Sequence, residues 1–357
     1  MPCPYLEGQI LKRCAVFKGM MNLSVGELTI ALQKKSSQNA SSLKKQNLAK
    51  QRKKLKVKVR VPATAANLGA GFNCLGLALE LYNTLEISEA NSGISIKILG
   101  EGKNELSKNR SNLSLNAIYK VFDMCGYKPK GLKIKIHNHI PIARGLGSSA
   151  AAIVAGAVAA NELCQKKLSR DDLIQLCADL EGHPDNITAA FLGGMTICGY
   201  KDDKLTCTNI FVRYGLRAII AVPQNLKVKT KDAVAVLPKR VPFNDAVFNL
   251  SRVAFFINGV MSDELEIMGL GMDDRLHQPY RKRLIPGLED VFRAAKRAGA
   301  HGVALSGAGP SVVAITNRFP DPIGEAMKKA FAAKGIKAEI MILNADNEGV
   351  TVKVKRA

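Results

Sequence analysis

Residues 132–164 constrain the fold most, because a strand pattern, a proline, a glycine-rich turn and an alanine-rich stretch follow one another there. Residues 132–137 alternate apolar and polar side chains, which predicts a half-buried strand. Pro141 ends this strand, and residues 148–164 predict a long helix. The segment therefore indicates a mixed fold in which a strand leads through a tight turn into a helix.

The turn itself, residues 141–151, reads P-I-A-R-G-L-G-S-S-A-A and has the chemistry of an anion-binding loop. Gly145 and Gly147 allow a sharp turn and a close approach of the backbone to an anion. Ser148 and Ser149 follow at the start of the helix, where free N–H groups and the positive end of the helix dipole favour a polyphosphate. A helix start capped by serine is the alternative interpretation. The complete strand–proline–loop–helix order favours the phosphate site.

Three further segments carry polar groups on flexible backbone. Residues 62–73 (P-A-T-A-A-N-L-G-A-G-F-N) offer amide and hydroxyl groups suited to a polar small molecule. Residues 181–186 (E-G-H-P-D-N) offer a carboxylate that could complete a magnesium site with Ser149. Residues 305–311 (L-S-G-A-G-P-S) would bring backbone close to phosphate or to the first loop. Taken singly, each also fits an ordinary polar loop, a helix end with a turn, or a glycine hairpin.

The rest of the chain from residue 55 alternates irregularly between strand and helix patterns, which fits two α+β layers better than one doubly wound sheet. Strands are expected at 56–61 (ended by Pro62), 94–98, 217–222, 302–305 and 312–316, and helices at 112–122, 171–180, 244–262, 287–298 and 323–333. The predicted domains are an N-terminal extension at 1–54, an N-terminal αβ domain at 55–205 and a C-terminal αβ domain at 206–357.

Charge separates the first residues from the rest. The net charge is +22, and residues 1–56 hold twelve Lys and Arg against only Glu7 and Glu27. Their Ser/Lys/Gln/Asn-rich composition is typical of a solvated, disordered tail, with a targeting peptide or a partner-binding arm as alternatives. The basic remainder suits a polyphosphate ligand. The chain has no Trp, and its Lys runs are not interleaved with aromatic residues, which argues against nucleic acid as a partner.

The eight cysteines include no C-x-x-C pair, which predicts neither a zinc site nor a disulfide framework and favours a reducing compartment. The most apolar run, residues 150–160, is shorter than the roughly 20 residues that a spanning helix needs. No secretory signal pattern is present. The expected location is cytoplasmic. The expected partner is a small-molecule substrate, with neither membrane nor nucleic acid, and a homodimer is left open.

Together the four segments, with 276–281 (L-H-Q-P-Y-R), resemble the motifs of the GHMP kinases, in family order from residue 55 to the C-terminus. Residues 62–69, 181–186 and 276–281 resemble most closely the homoserine kinase branch. The resemblance implies a two-domain α+β fold, with the phosphate loop in the N-terminal domain and a ferredoxin-like C-terminal domain. It also implies ATP- and Mg²⁺-dependent phosphorylation of the hydroxyl of L-homoserine to O-phospho-L-homoserine, a step of threonine biosynthesis.

The resemblance also implies roles for individual residues. The residues implied to bind ATP are Asn112, Pro141, Arg144, Gly145, Leu146, Gly147, Ser148, Ser149 and Ala150. Ser149 and Glu181 are implied to hold Mg²⁺. The residues implied to bind the acceptor are Asn67, Asn73, His183, Asp185, Arg281, Gly307 and Gly309. Asn186, with Ser149 and Glu181, is implied to be catalytic. It stands where mevalonate kinase relatives carry a catalytic Asp, and an amide cannot accept a proton. The expected mechanism therefore relies on alignment and charge neutralisation rather than on a protein base.

Two positions depart from the family pattern. Asn73 stands where an Asp usually pairs with the substrate ammonium, and Val234 stands where an Arg usually helps to bind its carboxylate. These departures leave open a GHMP kinase that acts on another small alcohol or amino acid. A second alternative is a catalytically inactive nucleotide-binding regulator, against which the intact Ser149 and Glu181 argue.

Overall fold

The computed structural model describes residues 55–356, so the predicted extension at 1–54 lies outside the described residues. The strands within this range are β1 Leu55–Ala66, β2 Leu75–Glu89, β3 Gly93–Gly100, β4 Gly131–Asn138, β5 Met195–Lys201, β6 Lys204–Ile210, β7 Arg217–Pro223, β8 Gly302–Leu305, β9 Val312–Thr316, β10 Ala338–Asn344 and β11 Thr351–Arg356. The helices are α1 Leu113–Met124, α2 Ser148–Leu163, α3 Arg170–Glu181, α4 Asp185–Leu192, α5 Thr230–Ala235, α6 Phe243–Ser262, α7 Leu265–Leu270, α8 Gln278–Arg281, α9 Leu288–Arg297 and α10 Pro320–Ala332.

The first sheet has the order β11-β1-β2-β4-β3, with β5 paired to β2 and β6 to β5. The predicted alternation in β1 is confirmed, since Val57, Val59 and Val61 are all buried. The prediction that Pro62 ends this strand is wrong, because β1 runs on to Ala66 with a register shift after Pro62. Pairing with β11 stops at Arg60, so Pro62 lies where one side of β1 is an edge, and its missing N–H is tolerated there.

Helix α2 forms the centre of the larger core. Twelve of its residues are buried, which is the pattern of a helix covered on all sides. It packs against β1 and β2 and against α1, α3 and α4. The predicted helix at 148–164 is thereby confirmed. The chain just before it is joined to β1, because the Thr64 N–H donates to the Leu146 carbonyl at 3.2 Å.

The second sheet is antiparallel in the order β10-β7-β9-β8, and α9 and α10 pack on it around a second core. The predicted two-layer α+β architecture is confirmed. The last strand, β11, pairs with β1 of the first sheet, and a domain boundary near residue 205 stays a prediction. Among the helices of residues 55–356, none has the length and apolar character needed to cross a membrane.

Strand β2 was not expected from the sequence. Its first five residues, 75–79, are all buried, and regular alternation appears only further along. A strand covered on both faces lacks the period-two pattern on which the prediction depends. β2 nevertheless pairs with β1, β4 and β5, so it organises the first sheet.

Candidate active site

A cleft of about 600 Å³ collects most of the predicted site residues. One wall comes from the loop at 143–149, the start of α1 and residues 181–186. The other comes from residues 228–230, Val234, Arg281 and the glycine segment at 307–309. Of the predicted site residues, Pro141 and Ala150 do not line this cleft; Ala150 is fully buried within the core under the sheet.

The glycine loop adopts backbone conformations that favour glycine, at positions with no room for a side chain. Gly145 and Gly147 have φ values of 76° and 67°, in the left-handed region. A Cβ on Gly145 would overlap the carbonyl oxygen of Ser306, and one on Gly147 would overlap Thr64 Oγ1. Gly147 is the N-cap of α2, and no side chain caps this helix. The first-turn N–H groups therefore remain free for an anion, and the alternative of a serine cap is not realised.

The hydroxyl of Ser149 donates a hydrogen bond to Glu181 Oε1, which joins the start of α2 to the end of α3. Burial raises the pKa of Glu181, while the Ser149 hydrogen bond and nearby His183 oppose the rise. A hydroxyl and a carboxylate oxygen side by side are suitable Mg²⁺ ligands. Within residues 55–356 no group of three or more His, Cys, Asp or Glu residues is arranged as a metal site. The pair fits an ion that takes its other ligands from phosphate and water.

A chain of hydrogen bonds runs from the buried Thr64 to His183, and its other members, Asp185 and Asn186, line the cleft with His183. The Thr64 hydroxyl donates to Asn186 Oδ1 at 2.7 Å, and Asn186 Nδ2 donates to Asp185 Oδ1 at 3.1 Å. His183 Nδ1 lies 3.1 Å from the same Asp185 oxygen. Burial lowers the pKa of His183, but the Asp185 contact and the Glu181 charge outweigh it and raise the pKa overall. Asn186 is thus held at both ends of its amide.

Arg281 is a buried cation at the opposite end of the cleft. It donates to the carbonyl oxygens of Ala233 and Gly307 at 3.3 and 3.1 Å, and its Nη1 lies 3.2 Å from His277 Nδ1. Burial lowers its pKa, and the charges of Asp274 and Asp185 oppose this. Among residues 55–356 no carboxylate lies within ion-pair distance of its guanidinium, which suits the binding of an incoming carboxylate.

The segment at 305–311 docks against both loops of the first domain. Asn67 Nδ2 donates to the Gly307 carbonyl at 2.9 Å, and Asn67 Oδ1 accepts the N–H of Asn73 at 2.9 Å. The Ser306 hydroxyl donates to the Gly145 carbonyl at 2.6 Å. The close backbone approach predicted for this segment is therefore observed. Asn67 thus connects the segment at 62–73 to the segment at 305–311. Asn73 lines the cleft with an exposed side chain.

Asn112 and Arg144 lie at the outer end of the glycine loop. Asn112 is the N-cap of α1, where its side chain accepts the Leu115 N–H at 3.3 Å and donates to the Ser107 carbonyl at 2.9 Å. Arg144 donates to the Gln224 carbonyl at 2.8 Å, and its buried Nη1 has no hydrogen-bond partner within residues 55–356. Burial lowers the pKa of Arg144. Both residues line the cleft beside the predicted phosphate site.

One contact of the site was not identified from the sequence. The Phe72 ring stacks on His277 with a centroid separation of 5.1 Å, and His277 Nε2 lies 2.8 Å from the Gly69 carbonyl. Lys229 and Thr230 also line the cleft. The L-H-Q-P-Y-R segment pointed to the His277 region, and the family pattern around Val234 pointed to the residues just before it.

Known proteins resemble this chain over most of its length. The model of the GHMP kinases N terminal domain matches residues 112–194, and that of the GHMP kinases C terminal matches residues 261–333. The homoserine kinase of Moorella thermoacetica is 44% identical over 294 residues, covering 82% of this chain and 99% of the relative. That of Carboxydothermus hydrogenoformans is 42% identical over 291 residues, covering 82% and 95%.

Solved structures of kinases have a similar fold. The crystal structure of homoserine kinase from Cytophaga hutchinsonii superposes with a TM-score of 0.76 at 31% identity, covering 84% of this chain and 97% of that one. The L. major mevalonate kinase, solved with R-mevalonate, has a TM-score of 0.58 at 18% identity, covering 83% and 95%. At that identity, the second structure is evidence for the shared fold alone.

Proposed function

This chain belongs to the GHMP kinase family, among its homoserine kinases, and we propose that it transfers the γ-phosphoryl group of ATP to the hydroxyl of L-homoserine. The product is O-phospho-L-homoserine, a precursor of threonine. One observation carries the proposal: a single cleft holds the glycine loop, the Ser149–Glu181 pair and the buried cation Arg281. If the phosphates of ATP bind at the glycine loop and the carboxylate of an amino acid binds at Arg281, the side-chain hydroxyl of that amino acid would lie between them.

The donor end binds ATP through backbone. The free N–H groups at the start of α2, with Gly145 and Gly147 before them, contact the phosphates. Ser149 and Glu181, which are hydrogen-bonded to each other, would hold Mg²⁺, and the ion would neutralise charge that develops on the transferring phosphate. Arg144, with its unpaired Nη1, adds positive charge next to this loop.

The acceptor end recognises an amino acid through side chains. Arg281 binds the α-carboxylate, and Asp185 faces the α-ammonium, since Asn73 carries no charge. The buried position of Arg281 strengthens such a charge-assisted bond by excluding water. The hydrogen-bonded set of His183, Asp185 and Asn186 then orients the acceptor hydroxyl toward the donor.

Transfer proceeds without a protein base. The family resemblance implies that Asn186 stands where mevalonate kinase relatives carry a catalytic Asp, and its amide is held by Thr64 and Asp185. An amide in this position orients groups but removes no proton, so the proton of the acceptor hydroxyl passes to an oxygen of the transferring phosphate or to water. Rate acceleration then comes from in-line alignment and charge neutralisation, which supply most of the catalysis in phosphoryl transfer.

The proposed location is the cytoplasm. Within the part of the chain that the structure describes, Cys74, Cys125, Cys177, Cys198 and Cys207 are free thiols, which supports a reducing compartment. A second candidate function, phosphorylation of another small alcohol or amino acid, is supported by Asn73 and Val234, which both line the cleft in place of charged family residues.

The test is ADP release by the purified chain with Mg-ATP and four acceptors: homoserine, serine, threonine and mevalonate. We expect the highest kcat/KM with homoserine. A higher kcat/KM with another acceptor would support kinase activity but would assign the chain a different substrate. If the chain is folded and binds nucleotide but no acceptor increases ADP release, the result would instead support a catalytically inactive nucleotide-binding regulator.

A further inference from the structure

The outer side of the first sheet carries a dense set of lysines. The pairing register places one residue of each strand in a row across β11, β1, β2, β4 and β3, namely Lys353, Lys58, Glu86, Lys135 and Lys97. Two residues along each strand, the next row holds Lys355, Lys56, Ser88, Lys133 and Ser95. We call these two rows the basic face. Its seven lysines are all exposed, and it contains one carboxylate.

The alternation of the strands directs the basic face away from the core. Residues such as Val57, Leu85 and Ile134, which lie between the two rows, are buried. Successive side chains of a strand point to opposite sides of the sheet, and α2 packs against β1 and β2 on the buried side. The lysines of both rows therefore share the solvent side.

The single carboxylate leaves most of this charge unbalanced. Glu86 lies 2.8 Å from Lys56 Nζ and 3.6 Å from Lys58 Nζ. The hydrogen bond from Lys56 and the nearby lysine charges lower the pKa of Glu86, although burial opposes this. Among residues 55–356, the lysines of the basic face with no carboxylate within ion-pair distance are Lys97, Lys133, Lys135, Lys353 and Lys355.

Like charges also lie directly opposite each other across the strands. The paired positions that both carry lysine are 56 with 355, 58 with 353, and 97 with 135. Such pairs destabilise a sheet. A polyanion bound across the rows would remove this repulsion, which favours a contact surface over a solvated one.

The phosphate site of the cleft does not account for the basic face. Among the described residues, the Lys and Arg side chains that line the cleft are Arg144, Lys229 and Arg281. None of the seven lysines of the basic face lines it. The expectation that a polyphosphate ligand explains the basic composition therefore covers only part of the charge.

We propose that the basic face binds the phosphate backbone of double-stranded DNA without reading its sequence. Neighbouring strands are about 4.8 Å apart, so each row is about 19 Å wide. This exceeds the width of the major groove, about 12 Å, and lets one row reach phosphates on both sides of it. Along a strand, residues on the same side are about 6.8 Å apart, which is two phosphate intervals of about 3.4 Å.

The side-chain chemistry of the basic face suits the backbone of the duplex rather than its bases. Lysine is a flexible point charge without the planar fork with which arginine reads guanine. Contacts of this kind hold DNA but carry no sequence information. The lack of aromatic residues among the lysines argues against single strands with stacked bases, and a duplex needs no such stacking.

Other anionic partners fit the basic face less well. Duplex RNA is recognised largely through its 2′-hydroxyls, and lysine has no acceptor for them. Neighbouring strands twist by about 20°, so only part of each row could lie against a flat membrane. The two rows also contain no large apolar side chain that would enter a bilayer. A second copy of the basic face would oppose like charges.

Fluorescence anisotropy of the full chain with a labelled DNA duplex of about 20 base pairs tests the proposal, with salt varied from about 50 to about 200 mM. The variant of the basic face combines Lys97→Gln, Lys135→Gln and Lys353→Gln. We expect its affinity at the lowest salt to fall at least about tenfold, and the slope of log affinity against log salt to become less steep by about 3.

The matched control combines Lys328→Gln, Lys329→Gln and Lys337→Gln, three exposed lysines on α10 and just before β10. It changes the net charge by the same amount and leaves residues 1–54 as they are, so its slope should match that of wild type. Neither variant should lower kcat with homoserine. Unchanged thermal unfolding by circular dichroism would show that both are folded.

Three results would overturn the proposal. The first is a wild type that does not bind the duplex at the lowest salt. The second is an equal loss in the two variants, which would assign binding to net charge or to residues 1–54. The third is tighter binding to duplex RNA of the same sequence, or to phosphatidylserine vesicles, than to the DNA.

Discussion

The two ends of the cleft are built from different parts of the chain. The donor end is formed by backbone, with Gly145 and Gly147 in left-handed conformations and packed against Ser306 and Thr64. The acceptor end is formed by side chains, and Arg281 among them donates to the carbonyls of Ala233 and Gly307. The donor end therefore tolerates almost no change. The acceptor end is where single substitutions can redirect specificity, and both departures from the family pattern lie there.

The largest effect is expected at the donor backbone. Gly147→Ala would overlap Thr64 Oγ1 and displace the start of α2, and a displacement of about 1 Å can cost 100-fold in rate. We expect kcat/KM to fall by at least that factor in steady-state kinetics. Gly126→Ala is the matched control, since Gly126 also has a positive φ, 62°, but open space around its Cβ position. Equal losses in the two variants would mean that backbone strain, not the overlap, is responsible.

Loss of the donor-side carboxylate should come next. Glu181→Gln keeps the shape of the side chain but removes the charge that would hold Mg²⁺, and we expect kcat to fall about 100-fold. The Mg²⁺ concentration for half-maximal activity should rise as well. Asp179→Asn, at an exposed acid on the same helix, should change neither value. An unaltered Mg²⁺ dependence in Glu181→Gln would remove Glu181 from the metal site.

At the acceptor end a smaller and more selective effect is expected. Arg281→Lys loses a planar fork that donates to two backbone carbonyls, and a flexible ammonium does not replace it. We expect the KM for homoserine to rise about 10- to 100-fold with little change in the KM for ATP. The nearby exposed Arg283, changed to Lys, is the control. An equal rise in both KM values would indicate a structural role for Arg281.

The smallest effect should come from restoring the family residues. Asn73→Asp and Val234→Arg add charges to the cleft for the ammonium and the carboxylate of the acceptor. The KM for homoserine should fall, by about tenfold at most for each. Val241→Arg, at an exposed position that does not line the cleft, should leave it unchanged. A higher KM in the restored variants would indicate that the acceptor end serves a different molecule.

The difference between the two ends also explains what could be predicted from the sequence. The donor loop is built from residues that are close together in the sequence. The positions of its glycines and the order of strand and helix were therefore enough to locate it. The bond between Thr64 and Asn186 joins residues 122 positions apart, and no local pattern contains it. The stacking of Phe72 on His277 is equally non-local. For the acceptor end, the residues alone indicated a polar small molecule at 62–73, and Arg281 came only through the family resemblance.

Errors in the predicted strands have a similar cause. The rule that proline ends a strand is local, whereas Pro62 is tolerated because β11 stops pairing at Arg60. Strand β2 was missed because other elements bury both faces of its first half. In both cases the outcome depends on which other elements pair with the strand or pack on it. The sequence of the strand itself does not contain that information.

The central claim is that phosphate passes from the donor end to a homoserine hydroxyl at the acceptor end. Phosphorus NMR of the purified chain with Mg-ATP and L-homoserine tests it directly. The account predicts that a phosphate monoester on homoserine appears in equal amount to ADP, and that neither forms without homoserine. ADP formed together with free phosphate alone, or at the same rate without homoserine, would contradict it.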